Sequence, residues 1–417
     1  MNKGYLSGYF EGIGSKILTR VDATSKSNQH EVGDVDQGKA LMRILGSTPR
    51  KGANRFRARY IWLADEQESI CEEGYLSWYD TRANQPKRSS EWRLYYQTNA
   101  VTELMKERDR LFVARQKDDY LLFIVVPESS SITNQLAWLF GLDIQQSFEG
   151  FSVQTISGSQ DTELDFISRF ILDELGIEFE DPNANSLDTI IERFGMAFPS
   201  TADFSDLARL TLPEVNSRDD PDIALMAWLD HEEAMFRRLE NKIVAKRVSE
   251  GFLDGDQVDV DGFIKYSLSV QNRRKSRMGR SLENHLRVIF DEFEINYDAQ
   301  VITEKGKKPD FIFPGKVEYF NPSFSTSLLT MLAAKSTCKD RWPQILPEAE
   351  RISKKHLLTL ELGISEPQTQ MMMDSNVQLV IPKRIHSSYT EKQINSLWCL
   401  QDFLSEIETR QRQIENL

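Results

Sequence analysis

Cysteine is scarce in this 417-residue chain, which holds only Cys71, Cys338 and Cys399, widely separated and without a C-x-x-C pair. Such usage excludes a disulfide framework or a zinc knuckle as the organising device and points to a reducing compartment. Histidine is almost as rare, and the five present (His30, His231, His285, His356 and His386) are too scattered to suggest a zinc site or a nucleophile–base triad. Long apolar runs are missing as well. The start, MNKGYLSGYFEGIGSKILTR, has no apolar h-region, and no window reaches the ~18 apolar residues of a membrane span. We therefore expect a soluble, cytoplasmic protein with no membrane partner. Internal repeats and low-complexity tracts are also lacking, and the length suggests two or three domains at roughly 100–200 residues each.

Positive charge is in deficit too, with 51 Lys+Arg against 64 Asp+Glu and a net charge of -13. Taken as an average, that excludes nucleic acid, because phosphate binding is carried by Lys and Arg. The deficit is local, however. Residues 1–150 hold 20 basic and 20 acidic side chains, 151–262 hold 9 and 25, and 263–417 hold 22 and 19. An acidic centre thus separates two flanks that contain dense basic clusters.

Residues 1–155 read as strand-rich, with alternating or aromatic runs at 56–64, 74–80, 91–98, 110–115 and 119–126, followed by a closing helix and a last strand. Short strands spaced in this way predict a β-barrel or sandwich. SGSQDTE (157–163) reads as a linker, after which the pattern turns helical; DIALMAWLDHEEAMFRRLENKIVAKRV is a long amphipathic helix or pair. The last part alternates. SLENHLRVIFDEF (281–293) predicts a helix with Ser281 as N-cap. QVITEKGKKPDFIFP (300–314) predicts strand, turn, strand; 328–337 a strand; 347–360 a helix; VQLVIP (377–382) a buried strand; and the C-terminus an amphipathic helix. Such alternation indicates an α/β core with a central sheet.

Chemistry concentrates in this last part. In KKPDFIFP, Asp310 enters an apolar strand where a carboxylate has no structural purpose, and a second strand ends at Lys335 in AAKSTCKD. A carboxylate and a lysine at adjacent strand ends are the minimum for metal-dependent phosphodiester hydrolysis: the carboxylate holds Mg2+ and the lysine stabilises charge or orients the nucleophile. Glu283 and Glu348 are the natural further oxygen ligands. Arg273, Arg274, Lys275, Arg277 and Arg280 lead into the segment carrying Glu283, and KDRW adds Lys339, Arg341 and Trp342 beyond Lys335. Arginines bridge phosphates and fork onto guanine O6 and N7, so these clusters suit DNA gripping beside a scissile bond.

The stretch NRRKSRMGRSLENHLRVIF, then VITEKGKKPDFIFP, then LAAKSTCKDRWPQILPEAERI, with HLLTL and VQLVIP following, closely resembles the catalytic domain of the EcoRII-type restriction endonucleases from about residue 198 onward. The resemblance implies an α/β domain of the PD-(D/E)xK restriction-endonuclease type, in the variant whose second acidic residue has moved to the following helix. It implies Asp310, Lys335 and Glu348 as the catalytic core, Glu283 as an additional acidic member and Lys339 as the second lysine of the motif. Asp310, Glu348 and Glu283 would hold Mg2+. Arg277 and Arg341 are then expected to read bases, with Arg273, Arg274, Lys275, Arg280 and Trp342 in phosphate or structural roles, at a site with CC and GG flanks such as CCWGG. Pro343 and Pro347 depart from the expected helix, which must begin at Pro347 or be distorted in its first turn.

The same family implies a B3-like pseudobarrel before the nuclease, binding DNA as an effector. Residues 1–155 have the matching texture, with Arg55, Arg57 and Arg59 alternating on one strand and Arg82, Lys87, Arg88 and Arg93 in a loop and the strand after it. We therefore expect an effector domain over 1–155, an acidic helical linker over 156–197 and a catalytic domain over 198–417. The expected protein is a homodimer acting on double-stranded DNA, since two strands must be cut. A modification-dependent or repair endonuclease of the same fold, or a DNA-binding regulator with a degenerate nuclease core, are the competing readings.

Overall fold

The structure, a computed structural model, describes the chain except residues 1–3, 24–28, 33–40, 48–51, 66–68, 86, 129, 144–149, 157–163, 179–183, 255–256 and 416–417. It divides into two compact units, Met1–Pro182 and Asn183–Leu417. The expected linker at 157–163 lies outside the described residues. No helix among the described residues is long and apolar enough to cross a membrane.

The first unit is built on β1 (Phe10–Ile17), β2 (Gln29–Val32), β3 (Asn54–Trp62), β4 (Ile70–Asp80), β5 (Trp92–Tyr96), β6 (Arg110–Gln116), β7 (Leu121–Val126) and β8 (Ser152–Thr155), with α1 (Ile132–Phe140) and α2 (Phe166–Glu174). The strands form one sheet in the order β2-β5-β4-β3-β7-β6-β1-β8. Leu94 and Tyr96 near one end share a buried core with Leu111, Val113 and Phe151 near the other, so the sheet curls around a single interior. Strand β7 is buried on both faces, and α1 covers the outer side of this half, with Phe140 5.0 Å from Phe10. On the other half the outer face stays open. There period-two alternation turns Phe56, Ala58 and Tyr60 inward and Arg55, Arg57 and Arg59 outward.

In this unit β1 and β2 were not expected from the sequence. FEGIGSKI lacks the alternation of a half-buried strand because β1, between β6 and β8 in the sheet, is buried on both faces along most of its length. A Cβ at Gly12 would stand 2.9 Å from the Gln154 carbonyl oxygen, so glycine here permits close approach of the neighbouring strand.

In the second unit α3 (Ala184–Ile191) and α4 (Thr201–Leu210) pack on α5 (Pro221–Glu250) through Leu187, Phe204, Leu207, Phe236 and Leu239. After the short pair β9 (Leu253–Asp254) and β10 (Gln257–Val258) comes α6 (Val260–Glu292). Strands β11 (Asp298–Ala299), β12 (Phe311–Phe313), β13 (Thr330–Lys335), β14 (Lys355–Thr359) and β15 (Val377–Val380) form a mixed sheet in chain order, with α7 (Glu366–Asp374) between β14 and β15 and α8 (Leu400–Glu415) after it. The first three strands are antiparallel, while β13, β14 and β15 are parallel. Phe311 and Phe313, two apart on β12, meet Phe290 of α6 at 5.1 and 5.2 Å, and Phe403 of α8 closes on Phe313 at 5.6 Å.

Three sequence expectations change. Ser281 is not an N-cap: α6 is one helix of 33 residues whose cap is Asp259, accepting from the Gly262 amide at 2.8 Å, and no proline interrupts it. The basic run 273–280 therefore lies inside a helix. The predicted helix at 347–360 is absent; a 3-10 turn, Lys339–Ile345, is followed by a bend and then β14. Ala349 takes a left-handed φ of 47°, so no helix runs on from Pro347 through this segment. Finally, the strand predicted at the start of 300–314 shrinks to the two residues of β11, just before Gln300.

Candidate active site

The mixed sheet brings two strand ends together. Because β12 pairs antiparallel with β13, Asp310 comes beside the end of β13. One carboxylate oxygen, Oδ2, accepts from the Ala334 amide and from Lys335 Nζ, both at 2.8 Å; the other, Oδ1, accepts from Gln300 Nε2 at 3.0 Å. Asp310 is buried, whereas the Lys335 side chain remains 40% exposed, so the ammonium is the part of the pair that solvent or a ligand can reach.

Glu283 joins from α6. The Gln300 amide that holds Asp310 also donates to Glu283 Oε2 at 3.2 Å, tying both carboxylates to one residue. Burial raises the proton affinity of Glu283, the nearby Asp310 charge adds to this, and Lys335 and Arg287 oppose it. Glu348 approaches on the bend after the 3-10 turn. Lys355, buried at the start of β14, donates to the backbone carbonyls of Glu348 and Ala349 and so pins that bend. Burial pushes the Glu348 carboxyl up to about 7 against the pull of Lys335, with Asp310 raising it further. Its Oε2 atom is buried without a hydrogen-bond partner.

Among the described residues no three His, Cys, Asp or Glu side chains stand close enough to hold a metal ion. In kind, the donors suit a hard divalent cation: Asp310 bonds Lys335, and Glu283 and Glu348, both of raised proton affinity and both influenced by the Lys335 charge, include one orphaned buried oxygen.

The basic residues fare unequally. Arg277 is buried, paired with Glu232 at 2.5 Å and Glu233 at 3.3 Å and stacked 4.0 Å over Phe236. Arg274 pairs with Glu240 at 2.6 Å, and Arg273 lies 3.9 Å over Phe198. Trp342 is buried as well. Arg280 and Arg341 are exposed. The side chains of Lys275 and Lys339 lie outside the described residues. In the first unit Arg55 and Arg57 are exposed, Arg55 stacking 4.1 Å over Tyr75, while Arg59 pairs with Glu73 at 2.9 Å. Asp80 closes the 81–91 loop by accepting from the Arg82 and Glu91 amides, both at 2.9 Å. Arg82 and Arg93 then share Glu91, which leaves Lys87 and Arg88 exposed at the loop.

Sequence reasoning passed over Gln300 and Lys355. Gln300 adopts a left-handed φ of 55°, a conformation that no spacing in DAQVITEK announces. Lys355 precedes the apolar run HLLT, a strand-start signal hidden by reading 347–360 as helix.

A mixed α/β domain with a lysine-bearing acidic centre at its strand ends is thereby defined in the second unit. Residues 236–404, within the second unit, match the family described as EcoRII C terminal. Over 233 residues the chain is 38% identical to the type II restriction enzyme EcoRII of Escherichia coli, an alignment covering 56% of each, so it spans about half the length of that relative. Among solved structures, metal-depleted Ecl18kI in complex with uncleaved, modified DNA is 21% identical, with a TM-score of 0.46 over 56% of this chain and 86% of that one. The restriction endonuclease PspGI–substrate DNA complex is 16% identical, with a TM-score of 0.43 over 52% and 94%.

Proposed function

We propose that the chain is a type II restriction endonuclease of the EcoRII kind, a Mg2+-dependent hydrolase that makes sequence-specific double-strand cuts at a short site with CC and GG flanks. The observation that carries this reading is the buried Asp310 held by the half-exposed Lys335 at 2.8 Å, between two acids of raised proton affinity. In hydrolysis a water oxygen bonds to phosphorus as the bond to the leaving oxygen breaks, and negative charge builds on the phosphoryl oxygens. The Lys335 ammonium is the group placed to meet that charge. Gln300 fixes Asp310 and Glu283 relative to each other, and Lys355 holds the bend that presents Glu348. Asp310, Glu283 and Glu348 would hold Mg2+, which when bound polarises the phosphate and lowers the pKa of water.

Exposed Arg280 and Arg341 are the cations available for phosphates or bases on the catalytic unit, with Lys275 and Lys339 beside them in sequence. The open sheet face of the first unit, with Arg55, Arg57, Tyr75, Lys87 and Arg88, supports its reading as a B3-like DNA-binding effector. Two copies of the chain would act on the two strands of one site.

The test is plasmid cleavage, with unmethylated and methylated DNA in Mg2+ or EDTA, beside Lys335→Ala and Asp310→Ala. Discrete fragments that require Mg2+ and fall by at least about 10³-fold in both variants are expected. Undiminished cutting by either variant overturns the site.

A further inference from the structure

The catalytic reading leaves unexplained a fully buried carboxylate one helix away. Glu232 of α5 is 0% exposed, and three side chains of α6 converge on it. Its Oε1 accepts from Arg277 Nη2 at 2.5 Å and from Ser281 Oγ at 2.6 Å, and its Oε2 pairs with His285 Nε2 at 2.8 Å. The imidazole tautomer is fixed by Arg209 of α4, which has only protons to give and donates to His285 Nδ1 at 2.8 Å; Nε2 therefore carries the hydrogen toward Glu232. Positions 277, 281 and 285 recur every four residues and form one stripe along α6. A single carboxylate thus grips two full turns of the helix.

Three grips in line fix what one cannot. A helix held at one residue can still roll or slide, whereas contacts at i, i+4 and i+8 on one acceptor set both its rotation and its axial position. Glu283 lies two residues from Ser281, roughly 200° round the helix at 100° per residue, and so on the far side, where it meets Gln300. Arg274 adds a further pair to Glu240 along the same interface, about two and a half turns before Glu283.

We propose that Glu232 is a positioning residue: by clamping Arg277, Ser281 and His285 it sets the roll of α6 that brings Glu283 to Asp310 and Gln300. This assigns the buried arginine of the basic run a role in placing an acid, and it rests on the nuclease reading of Glu283. The consequence falls on the acidic centre, through cation affinity, more than on the fold as such.

The test uses the full chain and two readouts, free-Mn2+ titration by EPR and the Mg2+ dependence of plasmid cleavage. Glu232→Gln should weaken Mn2+ binding about tenfold and raise the half-maximal Mg2+ concentration by a similar factor. In a Glu283→Ala background it should change neither further, because the acid it positions is gone. Ser281→Ala, which removes one grip and leaves every charge in place, should shift both readouts in the same direction by about two- to threefold, and it carries the test if Glu232→Gln does not fold. Glu240→Gln, equally buried on the same helix, should leave the Mn2+ curve unchanged. A lowered melting temperature with unaltered Mn2+ binding in Glu232→Gln and Ser281→Ala, or an equal effect with and without Glu283, overturns the clamp. Glu283→Ala alone separates the two failures. No loss of Mn2+ affinity there sinks the site reading and the clamp with it; a loss there but none in Glu232→Gln sinks only the clamp.

Discussion

RFRAR in the first unit and RRKSRMGR in the second are similarly dense in arginine, yet their guanidinium groups end in opposite environments. On β3 the period of two sends Arg55, Arg57 and Arg59 to one open face while Phe56, Ala58 and Tyr60 fill the core. On α6 the period of 3.6 spreads the run around the helix: Arg280 reaches solvent, and Arg277 turns into α5, where Glu232 and Glu233 receive it. A basic cluster on a strand is therefore a surface, whereas one on a packed helix is divided between surface and core. The acids that decide this division lie about 45 residues upstream of Arg277, in the segment that supplies much of the negative charge. Part of the acidic centre neutralises the basic run instead of repelling DNA.

The comparison is broken most directly at Arg277. Removing one partner of a buried ion pair leaves the other charge uncompensated, at a cost of about 3–5 kcal/mol. Arg277→Ala should therefore unfold the second unit at markedly lower urea, and Arg277→Lys, which cannot reach Glu232 and Glu233 together, should rescue only part of the loss. Stability within about 0.5 kcal/mol of wild type would return Arg277 to the group of ligand-contacting arginines.

How far each environment could be read from sequence follows the same logic. The strands at 54–62, 70–80 and 92–96 were legible because one face is apolar and the period is short, and 121–126 because it is an unbroken apolar run; β1 was not, because its glycines answer to neighbouring strands rather than to a pattern. Asp310 and Lys335 stood out because a charge at the edge of an apolar run is locally anomalous. Glu348 was legible as an acid but not in its setting, since the bend that carries it depends on Pro347, a left-handed Ala349 and a distant Lys355. The burial of Arg277 was illegible for the same reason: its partners lie on another helix.

Acids sharpen the contrast, because burial alone does not decide their state either. Glu232, with three donors, is driven down to about 2 despite its burial, whereas Glu348, with an orphaned oxygen, is pushed up to about 7. A raised carboxylate pKa means that the folded state holds the proton more tightly. The stability contribution is thus fully present below the unfolded value of 4.5 and is lost as pH rises toward 7. With EDTA present, Glu348→Gln should match wild type near pH 4.5 and exceed it by roughly 1 kcal/mol at pH 8, after allowance for solvent screening at this part-exposed site. Urea unfolding at the two pH values measures the difference, and a gap of the same size at both would show that Glu348 is not destabilised by its charge.

The smallest stability effect belongs to the open face of the first unit, where it divides energetics from function. Arg55 and Arg57 make no ion pair among the described residues and lie over Tyr75 and Tyr120 at 4.1 and 5.8 Å, contacts worth about 0.5–1 kcal/mol at most when exposed. Arg57→Ala should shift unfolding by under about 0.5 kcal/mol. If the face binds DNA, the same substitution removes up to one phosphate contact and lowers the slope of log K against log salt by about 0.9, with the double variant at Arg55 and Arg57 losing about twice that. Binding of duplex DNA measured between 50 and 200 mM salt reads the slope directly. An unchanged slope with unchanged stability would mean that these arginines only solvate the sheet, and the contrast with Arg277 would then be one of burial without a matching division of labour.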